Sequence, residues 1–359
     1  MRSKIGLDRL LRPPPPVSGV ARLHPNPDAS GTALTQFLAG LRPLLDDPEL
    51  TELCINRPHE AFVERRSGWT RVPLPFASFE WCSQVARLIA ASTQQRVTPE
   101  NPLLSASLPT GERVQVVLPP ATSAGTVALT FRKPSDQVLS LDVLSASGLF
   151  ERCVVGEGVT ASTDEELITL YQRGEVEAFL RAAVRARKNI LVSGPTGSGK
   201  TTLTKGLLLE IPSEERLVTL EDARELVLDK HPNSVRLYYS KDNQGLATVT
   251  PKQLLEACLR MRPDRILLAE LRSDEAYYYL RNVNSGHPGS ITSVHASSAK
   301  LAFEQLTLLV KESPGGRDLK REDIRSLLHQ LIDVVVQCGV EKQRRFVKEI
   351  WFGACARAA

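Results

Sequence analysis

The six cysteines, Cys54, Cys82, Cys153, Cys258, Cys338 and Cys355, are scattered, and no two form a CxxC pair. That spacing argues against a zinc ribbon. No apolar run approaches the roughly 18 residues of a membrane span, and the opening stretch MRSKIGLDRLLRPPPP has no apolar signal-peptide core. These absences describe a cytosolic chain with reduced thiols. No basic stripe interleaved with aromatics offers bases a stacking platform, so direct nucleic-acid binding is not expected. No internal repeat is present.

What is present is a globular composition of 359 residues, 42% hydrophobic and 24% charged. This is long enough for two domains with separate cores. The net charge of +4 is too mild to indicate a nucleic-acid binder, and it is compatible with resting on an anionic membrane surface. Residues 1–32, rich in Pro, Gly and Ser, read as a flexible tail. Its basic residues with Ile5, Leu7, Leu10 and Leu11 could favour a membrane surface, but Pro13 to Pro16 end any helix, which favours a solvated tail.

From Ala33 the pattern becomes structured. ALTQFLAGLRPLL reads as a helix, AFVERRSGWTRVPLP as a hairpin around Ser67-Gly68, and SFEWCSQVARLIAAS as a helix with apolar residues at Trp81, Val85, Leu88 and Ile89. LLSASLP and ERVQVVLPP flank Thr110-Gly111 as a second hairpin, and GTVALTFRK adds a strand. The spacing predicts an α+β domain over 33–133 and a partly helical linker over 134–174. Over 175–359 strands and helices alternate: EVEAFLRAAVRAR, NILVS, a helix from Gly199, LVTLE, LLEACLRM, RILLAE, EAYYYLRNV, SITSVH and AKLAFEQLTLLV. Such alternation argues for a largely parallel sheet covered by helices. DVVVQCGVEKQRRFVKEIWF closes the chain as a hairpin.

GPTGSGKTT at 194–202 fits the phosphate-loop (Walker A) pattern GxxxxGK[ST], with an apolar strand before it and a helix-forming run after it. Gly194, Gly197 and Gly199 let the backbone wrap phosphate oxygens and present N–H groups to them. Pro195, Thr196, Ser198 and Thr202 complete the loop and the helix start, whose partial positive charge favours an anion. Lys200 reaches the β- and γ-phosphates and the Thr201 hydroxyl ligates Mg²⁺. A chance Gly-rich turn does not explain every fixed position together with both flanking elements.

RILLAE ends in one acid, Glu270, and LVTLEDARE ends its strand at Glu221 and Asp222. A lone strand-end acid is usually a solvated loop residue. Two such strands beside a phosphate loop favour Mg²⁺ binding or positioning of the attacking water, and either acid could serve either role. In parallel sheets ligands gather at the carboxyl edge. SITSVH ends at His295, so His295 joins the γ-phosphate region, whereas His287 lies before that strand and is as readily a structural residue.

GPTGSGKTT, LEDARE, MRPDRILLAELR and SGHPGSITSVHA, in this order and spacing, resemble the secretion traffic ATPases, and among them the Vir-type ATPases of bacterial type IV secretion systems. GERVQVVLPP and FRKPS extend the resemblance over most of the chain beyond residue 32. The resemblance implies a RecA-like C-terminal domain and a smaller α+β N-terminal domain. It implies a homohexamer on the cytoplasmic face of the inner membrane that works with inner-membrane secretion components and hydrolyses ATP to drive pilus assembly or substrate transport. By position it gives Lys200 and Thr201 to phosphate and Mg²⁺, Glu221 and Glu270 to the catalytic carboxylates, and His287 and His295 to the histidine box. It gives Arg113, Arg132 and Arg272 to the nucleotide phosphates, although an Arg on a strand is usually solvated surface. Ala269 stands where many members have Gly, and a methyl there could crowd the backbone near Mg²⁺, which bears on turnover more than on binding.

Four readings compete with that motor. The type II secretion and type IV pilus motors share the core motifs, but many type II members carry paired CxxC motifs that are absent here. A conjugation ATPase belongs to the same branch. A nucleic-acid translocase would need turnover stimulated by single-stranded DNA, and a nucleotide-gated scaffold would bind ATP with negligible hydrolysis.

Overall fold

The computed structural model describes residues 33–134, 140–151, 153, 162–240, 245–284 and 286–358. The tail 1–32, with Ile5, Leu7, Leu10 and Leu11, and linker residues 135–139, 152 and 154–161 lie outside the described residues. The first unit comprises α1 (Ala33–Leu38), α2 (Arg42–Leu45), β1 (Glu52–Arg57), β2 (Glu60–Arg65), β3 (Gly68–Pro73), α3 (Phe79–Ser92), β4 (Leu103–Ser107), β5 (Arg113–Val117) and β6 (Ala128–Arg132). Its six strands form an antiparallel sheet in the order β3-β2-β1-β6-β5-β4. The buried stripe of α3, Cys82, Val85, Ala86 and Ile89, packs with Leu53, Ile55, Val116 and Phe131 in one apolar core. Ser78 caps α3 by accepting from the Trp81 N–H.

Three details differ from the sequence reading. The helix expected from Ala33 to Leu45 breaks in two after Leu38, and Pro43 sits in the first turn of α2, where its missing N–H costs nothing. The first hairpin turns at Arg66-Ser67, one residue earlier than expected. β1 is an additional central strand, and its burial on both faces hides the alternation that would betray it.

Next come α4 (Leu141–Ala146), α5 (Ser162–Gln172), α6 (Val176–Arg185), β7 (Ile190–Ser193), α7 (Lys200–Leu208), β8 (Leu217–Glu221), β9 (Ser234–Tyr238) and α8 (Pro251–Cys258). They are followed by β10 (Arg265–Leu268), α9 (Glu275–Asn284), β11 (Ile291–Val294), α10 (Ala299–Glu312), α11 (Arg321–Leu331), β12 (Val334–Glu341), β13 (Arg344–Phe352) and α12 (Gly353–Ala358). β10-β8-β9 and β11-β7-β12 are parallel, and β13 pairs antiparallel with β12 as the predicted closing hairpin. Leu271 N–H to Ser293 O (2.8 Å) and Ser293 Oγ to Ala269 O (3.0 Å) join the two ladders where β10 and β11 end. β9 is a further strand that the sequence reading passed over.

Alternation along the parallel strands feeds two cores. Val218, Leu220, Ile266 and Leu268 face α8, α9, α10 and α11, while Leu217, Leu267, Ile190 and Val192 face α6 and α7. Burial on both faces is what a helix-covered parallel sheet requires. α5, read as linker, joins the second core: Leu167 is buried there and the Tyr171 hydroxyl donates to Ile350 O at 3.0 Å. Among the described residues, no helix is long and apolar enough to cross a membrane.

A buried arginine joins the two units. Arg216 is fully buried before β8, donates to Met261 O and to Asn56 Oδ1 (both 2.8 Å), and lies 5.6 Å from the centre of the Trp69 ring. Arg262 pairs with Glu64 at 2.6 Å nearby. The first unit therefore docks where β8 and β10 begin, at their amino ends, and also along the edge of β9, where the Tyr238 N–H donates to Ala121 O at 2.9 Å.

Candidate active site

β7 ends at Ser193, and residues 194–199 wrap into α7, with Gly199 as its N-cap in the left-handed region (φ 91°). A side chain is disfavoured at Gly199 by that backbone. At Gly194 a Cβ would stand 2.9 Å from Cys338 O, because β12 runs against the loop. Pro195, Thr196, Gly197, Thr201 and Thr202 are exposed, while Ser198 and Lys200 are buried. The loop thus presents its apex and the first turn of α7 to solvent, as an anion site on a helix N-terminus requires.

Lys200 Nζ donates to Gly194 O (3.0 Å) and Pro195 O (3.3 Å) and lies 3.2 Å from His295 Nδ1. Burial lowers the Lys200 pKa from its ordinary value, and the nearby Glu270 carboxylate opposes that shift. His295 Nε2 lies 2.7 Å from Glu270 Oε1. Glu270 also pairs with Arg272, and Arg272 Nη1 lies 3.5 Å from Asp222 Oδ2. Lys200, His295, Glu270, Arg272 and Asp222 therefore form one continuous polar row along the carboxyl edge of β7, β11, β10 and β8. Four residues expected from the sequence, Lys200, His295, Glu270 and Arg272, meet here.

The two strand-end acids separate. Glu221 is fully buried, and its carboxylate accepts from Thr219 Oγ1 (2.7 Å) and from the backbone N–H groups of Glu225 (2.8 Å) and Leu226 (2.9 Å). It closes its own loop. Glu270, facing His295 and Arg272, is the carboxylate that borders Lys200. Asp222, one residue past Glu221, is the acid that reaches Arg272.

Three of the predicted site residues lie elsewhere. Arg113 and Arg132 stand directly opposite each other on β5 and β6 and line a cavity of about 530 Å³ with Leu259 and Arg260, which precede the amino end of β10. Lys200 lies beyond the carboxyl end of β7, so these arginines are on the other edge of the sheet from their own phosphate loop. His287 is half-buried, and its pKa is lowered by burial and by the Arg262 charge. It lies near Arg262 before β11, apart from His295 at the end of that strand. Ala269, in place of the glycine expected there, belongs to the apolar cluster beneath α6 and α7, with Leu267.

The sequence reading missed two neighbours of the loop. Gln337 Nε2 donates to Ala296 O (3.1 Å), bracing the residue after His295, and Arg345 Nε donates to Gly197 O (3.0 Å). No local pattern marks either one, because β12 and β13 reach the loop only through the sheet.

Mg²⁺ takes oxygen ligands and keeps several waters when it is shared with substrate phosphates. The exposed Thr201 hydroxyl and the Glu270 carboxylate are oxygen donors of that kind. Among the described residues no group of three or more His, Cys, Asp or Glu could cage a metal, so the residues present fit an ion completed by phosphate oxygens.

Comparison with known proteins identifies the family. The family described as Type II/IV secretion system protein matches residues 38–349. The type IV secretion system protein VirB11 of Bartonella henselae is 46% identical over 341 residues, covering 92% of this chain and 96% of the relative. Protein VirB11 of Agrobacterium fabrum is 44% identical over 323 residues, covering 88% and 93%. The crystal structure of the VirB11 ATPase from the Brucella suis type IV secretion system, in complex with sulphate, superposes with a TM-score of 0.84 at 44% identity. It covers 89% of this chain and 98% of that one. On these matches the chain belongs to the type II/IV secretion system protein family, in its VirB11 branch of type IV secretion ATPases.

Proposed function

We propose that the chain hydrolyses ATP with Mg²⁺ as a homohexameric ring on the cytoplasmic face of the inner membrane. There it drives pilus assembly or substrate translocation together with inner-membrane secretion components. The observation that carries this reading is the contact of His295 with both Lys200 and Glu270. A phosphate-loop lysine, a histidine and a strand-end carboxylate in series form a site able to register the γ-phosphate and orient a water beside it.

The residues act as follows. The N–H groups of the loop and of the first turn of α7 bind the phosphate chain, and Lys200 offsets its charge. Glu270 orients the attacking water, His295 holds Glu270, and Arg272 holds it from the other side. Thr201 and Glu270 would hold Mg²⁺, which would supply neutralisation of charge on the phosphate oxygens. Arg113 and Arg132 act on the phosphates of a neighbouring copy.

Steady-state phosphate release from wild type, Lys200→Ala and Glu270→Gln, with and without a chelator, tests this reading. Turnover lost in both variants and on chelation is expected. Equal rates in wild type and Lys200→Ala would remove the motor reading and leave a scaffold.

A further inference from the structure

We propose that Arg345, at the tip of the C-terminal hairpin, is a positioning and binding residue of the nucleotide site: it clasps the apex of the phosphate loop and offers its remaining donors to the phosphates of a nucleoside di- or triphosphate. This rests on the reading of residues 194–202 as a nucleotide site.

The hairpin is held over the loop at two points. At the base, Cys338 on β12 presses against Gly194, where its carbonyl oxygen leaves no room for a Cβ. At the apex, Arg345 Nε donates to Gly197 O at 3.0 Å, and the Arg345 stem lies against Gly199, with Cδ 3.1 Å from where a Cβ there would stand. Gly199 is therefore open for two reasons, its left-handed backbone and the arginine stem over it. The turn that delivers Arg345, Lys342-Gln343, has positive φ at both residues (45° and 68°), the two-residue geometry that keeps a hairpin tight and its tip in register.

A guanidinium has five donors, and the bond to Gly197 O uses one. Among the described residues no carboxylate pairs with Arg345. Its Nη1 and Nη2 groups therefore stand as an unneutralised fork at the rim of an anion-binding loop, whose own glycine carbonyl orients them. Arginine forks match phosphate oxygens in geometry and charge. The clasp has a second effect. A Gly-rich loop samples many conformations, and a bond at its apex restricts it to the shape that receives phosphate, which lowers the ordering cost of binding.

Arg344 supplies the control. It carries the same charge, is also exposed, pairs across the turn with Glu341 in the strand register, and points to the opposite face of β13.

The test is equilibrium binding of a fluorescent ADP analogue to the full-length protein at low and high salt, with thermal unfolding of each variant recorded without nucleotide. Arg345→Ala is expected to weaken binding about tenfold, the worth of one charge-assisted contact, and to flatten the salt dependence. Arg345→Lys should regain part of the affinity, because charge and one donor return but the fork does not. Arg344→Ala should bind as wild type does. The proposal is overturned if Arg345→Ala binds as tightly as wild type, if Arg344→Ala loses as much, or if Arg345→Ala loses affinity only in proportion to a fall in unfolding temperature that Arg345→Lys shares. Lys200→Ala keeps the two readings apart. If wild type binds no more tightly than Lys200→Ala, the nucleotide reading itself fails, whereas a weak Lys200→Ala beside an unaffected Arg345→Ala removes only the clasp.

Discussion

His295 Nδ1 lies 3.2 Å from Lys200 Nζ, and the other ring nitrogen of His295 lies 2.7 Å from Glu270. A lysine ammonium has donors and no acceptor, so Nδ1 must accept and the ring proton of a neutral imidazole then sits on Nε2, facing the carboxylate. His295 thereby ties the orientation of Glu270 to the position of Lys200. The first prediction follows from this arrangement. His295→Ala should keep nucleotide affinity within a few-fold and lower turnover on the order of 10²-fold, the loss typical of one preorganised polar group. Binding of a non-hydrolysable analogue and phosphate release under saturation separate the two quantities. A variant with near-normal turnover would exclude the coupling.

Glu221 and Glu270 should fail in different ways. Glu270→Gln preserves shape and removes the charge proposed to orient water, so turnover should fall while the fold keeps its stability. Glu221→Ala removes the acceptor of two backbone N–H groups and one hydroxyl in a fully buried site. Orphaned buried donors cost roughly 1–3 kcal/mol each, so this variant should unfold at a clearly lower urea concentration. Urea unfolding of both variants beside their turnover checks the division. A stable but inactive Glu221→Ala would return that acid to the catalytic group.

Much of this site was legible because it is local. Residues 194–202 carry their own glycines, lysine and threonine, and the apolar runs on either side announce a strand and a helix. Strand ends could be read from Glu270 and His295 because parallel strands put their carboxyl ends on one edge. The role of Glu221 was hidden, since the N–H groups of Glu225 and Leu226 decide it and backbone donors have no residue type. Arg345 was hidden by distance: it meets Gly197 across 148 positions, and only the β12–β13 pairing brings it there. Arg113 and Arg132 could be recognised by position, but where their cavity faces depends on how the first sheet docks through Arg216 and Arg262.

Glu52 gives a pH prediction. It is buried beneath Arg132, which lies 3.4 Å away, and burial pushes its pKa up from the ordinary carboxylate value to about 7, against the pull of the arginine. The folded state therefore holds this proton more tightly than the unfolded chain does. The favourable contribution is complete below the unfolded pKa near 4.5 and is lost as pH rises to about 7. Glu52→Gln, which cannot ionise, should match wild type near pH 4 and be the more stable by up to about 3 kcal/mol at pH 8. Urea unfolding at both pH values measures it, and a difference that shrinks as pH rises would contradict the assignment.

Arg113 and Arg132 face each other across adjacent strands, and Arg260 adds a third cation to the same cavity. Like charges in register destabilise a sheet, and an anion between them would reverse that cost. The cavity lies at the amino end of β10 and Lys200 beyond the carboxyl end of β7, so the anion cannot be a phosphate held by the same chain's loop. In a ring it would be the phosphate of the adjoining copy. Arg113→Ala should then lower turnover about 10³-fold, as removal of an arginine acting on phosphoryl transfer does, while the fold persists. Rings mixed from Arg113→Ala and Lys200→Ala subunits, each inactive alone, should regain activity, because some interfaces then combine an intact Lys200 with an intact Arg113. If mixed assembly is verified and no activity returns at any ratio, Arg113 does not act across the subunit boundary.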